Sequence, residues 1–321
     1  MGSTMAKILV GTCSWTDKEL IDSGGFYPRG ARSAEERLRY YATQFPIVEV
    51  DSSYYALPAE QTAELWAKRT PHSFTFDVKA FRLFTQHPTS FDVFPKEVQA
   101  DYPGARPAKN IYLRDVPEEK AEQLWDVFKS ALNPIHRAGK LGVVLFQFPP
   151  WFYPLGESRD HILRCKEHLP DYQLAVEFRA GSWFNEKNVE RTLAFLESNQ
   201  LAFACVDGPQ GFASSVPPLA YATAPVAVVR FHGRNTETWE RRTSTSAERF
   251  DWVYQQEELA EWVPRVQDLA KQAGEVHLLM NTNRDNQGPV NANQLRLVLR
   301  KAGIEVEPPA VPQSPLPMGD G

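Results

Sequence analysis

The sequence predicts a single (β/α)8 barrel, an α/β fold of eight parallel strands whose working site lies at their C-terminal ends. Three observations predict it. Eight short apolar runs alternate with amphipathic segments along the 321 residues, and eight such units favour closure over an open sheet. The links from helix to strand are short, whereas several from strand to helix are long, which places every long loop on one rim. The chain is 42% hydrophobic, enough for one large core.

The strands are expected at Ile8–Cys13, Ile47–Asp51, Phe74–Lys79, Gly142–Gln147, Gln173–Arg179, Ala202–Asp207, Val226–His232 and Val276–Asn281. They are short, mostly apolar and rich in β-branched and aromatic residues, as parallel strands covered on both faces should be. Helices are expected at Ala34–Gln44, Glu60–Arg69, Glu118–Ala138, Arg159–His168, Phe184–Ser198, Gln256–Gln272 and Asn291–Lys301. Ser33 with Glu36 three residues on is a capping-box pattern. The crossover 207–225 is rich in Gly and Pro and holds at best a short helix. The barrel should therefore fill residues 6–306. Residues 1–5 read as an appended leader, and the Pro-rich stretch 307–321 as a disordered tail.

Composition narrows the function. Cys13, Cys165 and Cys205 are odd in number and widely spaced, which argues against a disulfide framework or a thiolate zinc site and fits a reducing cytoplasm. No apolar stretch is long enough to span a bilayer, and no basic-then-apolar leader suggests secretion. The net charge of −5 does not predict nucleic-acid binding, although a local basic patch still allows DNA or RNA as a partner. Oligomeric state is not legible.

Residues two apart on a strand share a face. At that spacing, polar residues gather near the strand ends: Glu49 and Asp51; Asp77 and Lys79; Gln147; Glu177 and Arg179; Asp207; Arg230 and His232; His277 and Asn281. Their neighbours, among them Val50, Phe178, Val206 and Phe231, are apolar and should face the helices. The polar set is expected to line the barrel mouth. Acids and bases are mixed there, so acid–base chemistry and anion binding are equally open, as is a salt-bridged lining with no chemistry. Glu177 and Arg179 form the sharpest pair, a carboxylate held ionised beside a guanidinium. Lys79 suits a proton shuttle, an anion contact or, with a depressed pKa, a Schiff-base amine. His232 suits acid–base work or anion contact, and His277, lying deeper, reads as a satisfied core histidine. No His-x-His or His-Glu-x-x-His spacing exists, so no cofactor is expected; a divalent metal would need ligands from separate strands, such as Glu177, Asp207 and His232. Trp15, Tyr54, Tyr55 and Trp183 are expected on the rim as stacking surfaces, with Arg82, Arg234 and Arg284 as rim bases. No Gly-x-Ser-x-Gly elbow, Walker motif or dinucleotide glycine pattern occurs.

Several segments, in order, resemble the domain-of-unknown-function-72 family, also called YecE-like. They are Gly11-Thr12-Cys13-Ser14-Trp15, Phe26-Tyr27-Pro28, Val48-Glu49-Val50-Asp51-Ser52-Ser53-Tyr54-Tyr55, Phe76-Asp77-Val78-Lys79-Ala80, Phe146-Gln147-Phe148-Pro149-Pro150, Val176-Glu177-Phe178-Arg179, Arg230-Phe231-His232-Gly233-Arg234 and Asn291-Ala292. The resemblance runs from about Ile8 to Lys301 and implies a TIM barrel without an established activity. Its architecture is similar to that of the endonuclease-IV and xylose-isomerase-like group, an analogy that points toward nucleic acids. The chain departs from the family pattern at Ala180, where a histidine is common, at Met280-Asn281-Thr282-Asn283, and at Asp51, where Asn is common. An insert near Phe91–Tyr112 should reshape the rim.

The leading reading is an enzyme, a hydrolase or lyase acting on a small polar or anionic substrate such as a nucleic-acid or sugar-phosphate component. Glu177, Lys79 and His232 would carry the chemistry. Arg179, Arg230, Arg234, Asp51, Asp77, Asp207, Asn281, Gln147 and Glu49, with the four rim aromatics, would bind substrate. Its rivals are a non-catalytic nucleic-acid binder and a metal-dependent, endonuclease-IV-like phosphodiesterase.

Overall fold

In the computed structural model, eight parallel strands close into a barrel in chain order, with β1 hydrogen-bonded to β8. The strands are β1 (Lys7–Cys13), β2 (Ile47–Val50), β3 (Thr75–Lys79), β4 (Leu141–Gln147), β5 (Leu174–Glu177), β6 (Ala202–Asp207), β7 (Val226–Phe231) and β8 (Glu275–Met280). The structure describes residues 6–100, 102–104, 107, 110–241, 243 and 245–309. The expected leader, and all but residues 307–309 of the expected tail, lie outside them. At the start of that tail, the Glu307 N–H donates to the Ile8 carbonyl at 2.9 Å. Among the described residues no helix is long and apolar enough to cross a membrane.

Two apolar layers hold the barrel. Leu9, Ile47, Leu145, Ala175, Ala204 and Leu279 pack inside it, and a much larger set, including Val10, Phe76, Val176, Val229 and Leu278, packs between strands and helices. The small Ala175, Ala202 and Ala204 keep the interior narrow, and most polar side chains lie above this apolar plug, with the His277–Asp77 pair set into it.

Helices start where their ends can be satisfied. Ala34–Gln44 has the expected capping box: Ser33 Oγ accepts the Glu36 N–H at 3.1 Å, and Glu36 accepts the Ser33 N–H at 2.7 Å. The helix expected from Phe184 starts at Val189 instead. Asn185 accepts the N–H groups of Lys187 and Asn188 and ends a 3-10 turn at Gly181–Phe184. The single helix expected at Gln256–Gln272 is two, Gln256–Ala260 and Val263–Gln272, because Pro264 has no amide proton to continue the ladder. The last helix, Gln287–Lys301, begins earlier than expected, since Pro289 fits the first turn, where its missing N–H costs nothing. The crossover after β6 holds no helix. The rim insert carries a 3-10 turn (Phe91–Val93) and a short helix (Lys96–Ala100), tied down by the Thr89–Ile111 bridge and by Phe94 against Phe81.

Candidate functional site

Above the apolar plug lies a closed ionic layer centred on Arg230. Its side chain is fully buried, and its fork binds Glu49 bidentately: Nε donates to Oε2 at 2.9 Å and Nη2 to Oε1 at 2.7 Å. Nη1 donates to Glu177 Oε2 at 2.5 Å. Both acids are fully buried. One guanidinium thus supports two carboxylates, the arrangement that makes buried charge tolerable.

Glu177 is held on its other oxygen as well. Oε1 accepts from Gln147 Nε2 at 2.7 Å and from His232 Nε2 at 2.8 Å. Burial works to raise its pKa, but Arg230 and then His232 outweigh it, and the carboxyl sits well below the ordinary range. An ionised Glu177 only accepts, so His232 carries its proton on Nε2. Nδ1 then accepts from Asn281 Nδ2 at 2.8 Å. Burial pushes the His232 pKa down to about 4, and the imidazole is neutral. Phe250 stacks on it, with ring centroids 5.5 Å apart.

One layer deeper, His277 Nδ1 faces Asp77 Oδ2 at 2.9 Å while Nε2 faces Glu275 at 3.2 Å. Two carboxylate partners call for two N–H donors. Burial opposes the charge, but Asp77 outweighs it and raises the pKa to about 9. Asp77 Oδ1 also accepts the Val143 N–H at 2.9 Å. The pair depends on Gly142, where a Cβ would stand 2.3 Å from Asp77 Oδ1. His277 is the satisfied core histidine the sequence suggested.

The mouth above these layers is different. Lys79 Nζ has one acceptor among the described residues, Asp51 Oδ1 at 2.9 Å, and stands 4.5 Å from the Tyr54 ring centroid. Arg82 lies over the same ring at 5.4 Å, and its side chain meets no acceptor among the described residues. Arg179 lies over Trp239 at 4.3 Å; its approach to Glu177 is 3.8 Å, too long for a hydrogen bond, and its Nε is buried without a partner among the described residues. Burial lowers the Arg179 pKa to about 10, with the charges of Arg230 and Arg249 adding to it. Burial also works to lower Lys79, but Asp51 outweighs it and holds the amine above its ordinary value, which corrects the Schiff-base expectation.

Comparison with known proteins identifies the chain. A family model described as "Protein of unknown function DUF72" matches residues 9–316. The chain belongs to the DUF72 family. It is 32% identical over 292 residues to the UPF0759 protein YunF of Bacillus subtilis (strain 168), covering 90% of this chain and 93% of that one. It also matches the crystal structure of a DUF72 family protein from Enterococcus faecalis V583, with 25% identity, a TM-score of 0.75, and coverage of 96% of this chain and 100% of that one. A DUF72 family protein from Thermotoga maritima MSB8 gives 26% identity, a TM-score of 0.69, and coverage of 92% and 99%. Both the family and the barrel that the sequence suggested are therefore shown.

In this DUF72 chain some predicted site residues converge and others do not. Glu49, Asp51, Lys79, Gln147, Glu177, Arg179, Arg230, His232 and Asn281 do converge. Glu49 and Asp77 are fully buried with their oxygens occupied, so neither is placed to touch substrate. Asp207 is a correction of facing. On β6 it is Ala202 and Ala204 that point inward, so Asp207 points to the helices, where Tyr254 Oη (2.7 Å), Trp262 Nε1 (2.6 Å) and Arg234 (2.8 and 3.0 Å) bind it. Arg234 goes with it and also reaches Glu261, away from the mouth. The metal set Glu177, Asp207 and His232 is thereby not assembled, and among the described residues no three His, Cys, Asp or Glu side chains gather to hold an ion. Trp15 is buried against Trp66 and Phe76, and Trp183 is buried on Phe178 with its N–H donated to the Phe152 carbonyl; both are core, not rim. Tyr54 and Tyr55 do stand at the mouth, Tyr55 half exposed. Ala180 lies in the helix-side core, so a histidine there would not face the site.

Sequence reasoning missed His87, Trp239 and Phe250, and noted Arg82 only as a rim base. All four sit in the long strand-to-helix loops, and loop length was the one signal that pointed to them.

Proposed function

We propose that this chain is an enzyme of the hydrolase or lyase class acting on a small polar anion, such as a sugar phosphate or a nucleic-acid component. The anionic group would seat against Lys79, Arg82 and Arg179 beside Tyr54. One observation carries this reading: among the described residues every buried acid of the barrel is already paired, while the Arg82 and Arg179 side chains have no hydrogen-bond acceptor. Guanidinium groups in that state favour a phosphate or carboxylate with forked geometry. In this reading Glu177 is not the proton acceptor. It holds Arg230 and His232 in place, and the His232–Asn281 pair forms the floor on which substrate rests.

The test is a screen of phosphate esters and carboxylates for calorimetric binding and turnover at low ionic strength. Binding that weakens at least tenfold in Arg179→Met supports the reading; no binding by any anion sinks it. A second reading, a nucleic-acid binder without catalysis, is favoured by the exposed rings of Tyr55, Trp151 and Tyr153, each about half accessible. It requires single-stranded oligonucleotides to bind with a steep salt dependence.

A further inference from the structure

His87 sits at this mouth, and neither its sequence context nor the site as described so far gives it a task. Its position is built rather than incidental. A tight turn runs from Arg82 to His87, closed by the His87 N–H donating to the Arg82 carbonyl at 3.0 Å and passing through Gln86 at φ +63°. Outside glycine that conformation costs about 1 kcal/mol or more and persists where the surroundings demand it. The turn sets the His87 ring edge-on to Tyr54, centroids 5.4 Å apart, and 5.9 Å from Trp151.

The tautomer follows from Thr85. Its buried hydroxyl lies 3.1 Å from the Arg82 carbonyl, to which it alone can donate, and 2.9 Å from His87 Nδ1. One hydroxyl has one proton. Both contacts are satisfied only if Thr85 donates to the carbonyl and accepts from Nδ1–H. The lone pair is then on Nε2, which has no hydrogen-bond partner among the described residues. The groups acting on the ring are Lys79 from β3, Arg82 from its own turn and Arg179 from the end of β5. Burial first, and then these three cations, hold the imidazole neutral, with a pKa near 3.

We propose that His87 Nε2 is the proton-accepting atom of the mouth, brought into use when a phosphorylated, hydroxyl-bearing substrate seats its phosphate on Lys79, Arg82 and Arg179. The inference rests on the anion-binding reading above. Bound phosphate neutralises the cations that suppress the imidazole. The substrate O–H bond then breaks, its proton forms an N–H bond on Nε2, and its electron pair stays on oxygen. The product of the step is an imidazolium and an alkoxide; no electron is exchanged and no further reactant is needed. The substrate supplies the charge that makes its own base effective.

The test is 15N NMR of the full chain with and without inorganic phosphate, with His87 assigned by loss of its signals in His87→Gln. The expected result is a single Nδ1–H tautomer for free His87, unchanged down to about pH 5. With saturating phosphate its proton affinity should rise at least tenfold. Thr85→Val should allow the Nε2–H form to appear, a change that a purely structural ring would not require. An Nε2–H tautomer in the free protein overturns the proposal, whatever phosphate does. Phosphate binding by calorimetry that leaves the His87 signals unmoved also overturns it, while the anion-binding reading stands. Absence of phosphate binding overturns both.

Discussion

The layer around Arg230 and the mouth above it are made of the same kinds of side chain and are finished differently. Below, two glutamates share one guanidinium, and the histidine and glutamine beside them close the remaining valences. Above, two guanidinium groups and an ammonium stand around Tyr54 and Trp239; among the described residues Asp51 is the one carboxylate hydrogen-bonded to them, and Glu177 stands 3.8 Å from Arg179. The contrast teaches that mixed charge in a barrel need not mean mixed chemistry. The acids are spent on holding the floor, and the cations left at the mouth are free to meet a ligand. Stability should therefore reside in the lower layer and binding in the upper one.

The largest test of that division is Arg230→Met. It strands two buried carboxylates, and the cost of breaking such a group is about 3–5 kcal/mol. Urea denaturation should show it, and a loss below about 1 kcal/mol would mean the layer is not the structural floor. Next is pH. The His277 pKa is raised to about 9, so its contribution is complete below the ordinary value of about 6.5 and is lost as pH climbs from there to 9, roughly 3 kcal/mol at most. His232, lowered to about 4 by burial, works in the opposite sense: its contribution is complete above about 6.5 and is lost as pH falls toward 4. Denaturation midpoints should peak near neutrality, and His277→Gln should flatten the alkaline side. A midpoint that kept rising to pH 9 in the parent protein would contradict the charged His277–Asp77 pair.

Asp207→Asn should cost about 1–3 kcal/mol by weakening the contacts from Arg234, Tyr254 and Trp262. It should leave anion binding within twofold, because Asp207 faces the helices. A large loss of binding with intact stability would put Asp207 back in the site. The smallest stability effect is expected for Arg179→Met, below about 1 kcal/mol, since the residue gives up no hydrogen bond among the described residues, and its lost attraction to Glu177 at 3.8 Å is offset by relief from Arg230, Arg249 and its own burial. Its effect on binding should be the reverse, at least tenfold.

The strands were legible because each is a short apolar run between turn signals, and of the seven whose polar residues marked a facing, β2 to β8, six faced as expected. Facing failed on β6 for a physical reason. Ala202 to Val206 are all apolar, so no alternation marks which side Asp207 takes; the donors that decide it, Tyr254 and Trp262, lie far along the chain. Trp15 and Trp183 were misplaced because a ring in a loop looks the same whether it lines the rim or turns under it. The Glu177–Arg179 pair was legible as two charges two apart, but Arg230, on a distant strand, is the closer partner of Glu177. His87 was invisible because its role depends on a left-handed residue and one hydroxyl's choice of acceptor, neither of which leaves a periodic mark.

The most direct test is calorimetric titration of inorganic phosphate at low ionic strength into the parent protein, Arg82→Met/Arg179→Met and Arg234→Met. An anion site at the mouth predicts one binding event in the parent, kept in Arg234→Met and weakened at least tenfold in the double variant. Equal binding by all three, or none by the parent, would contradict it.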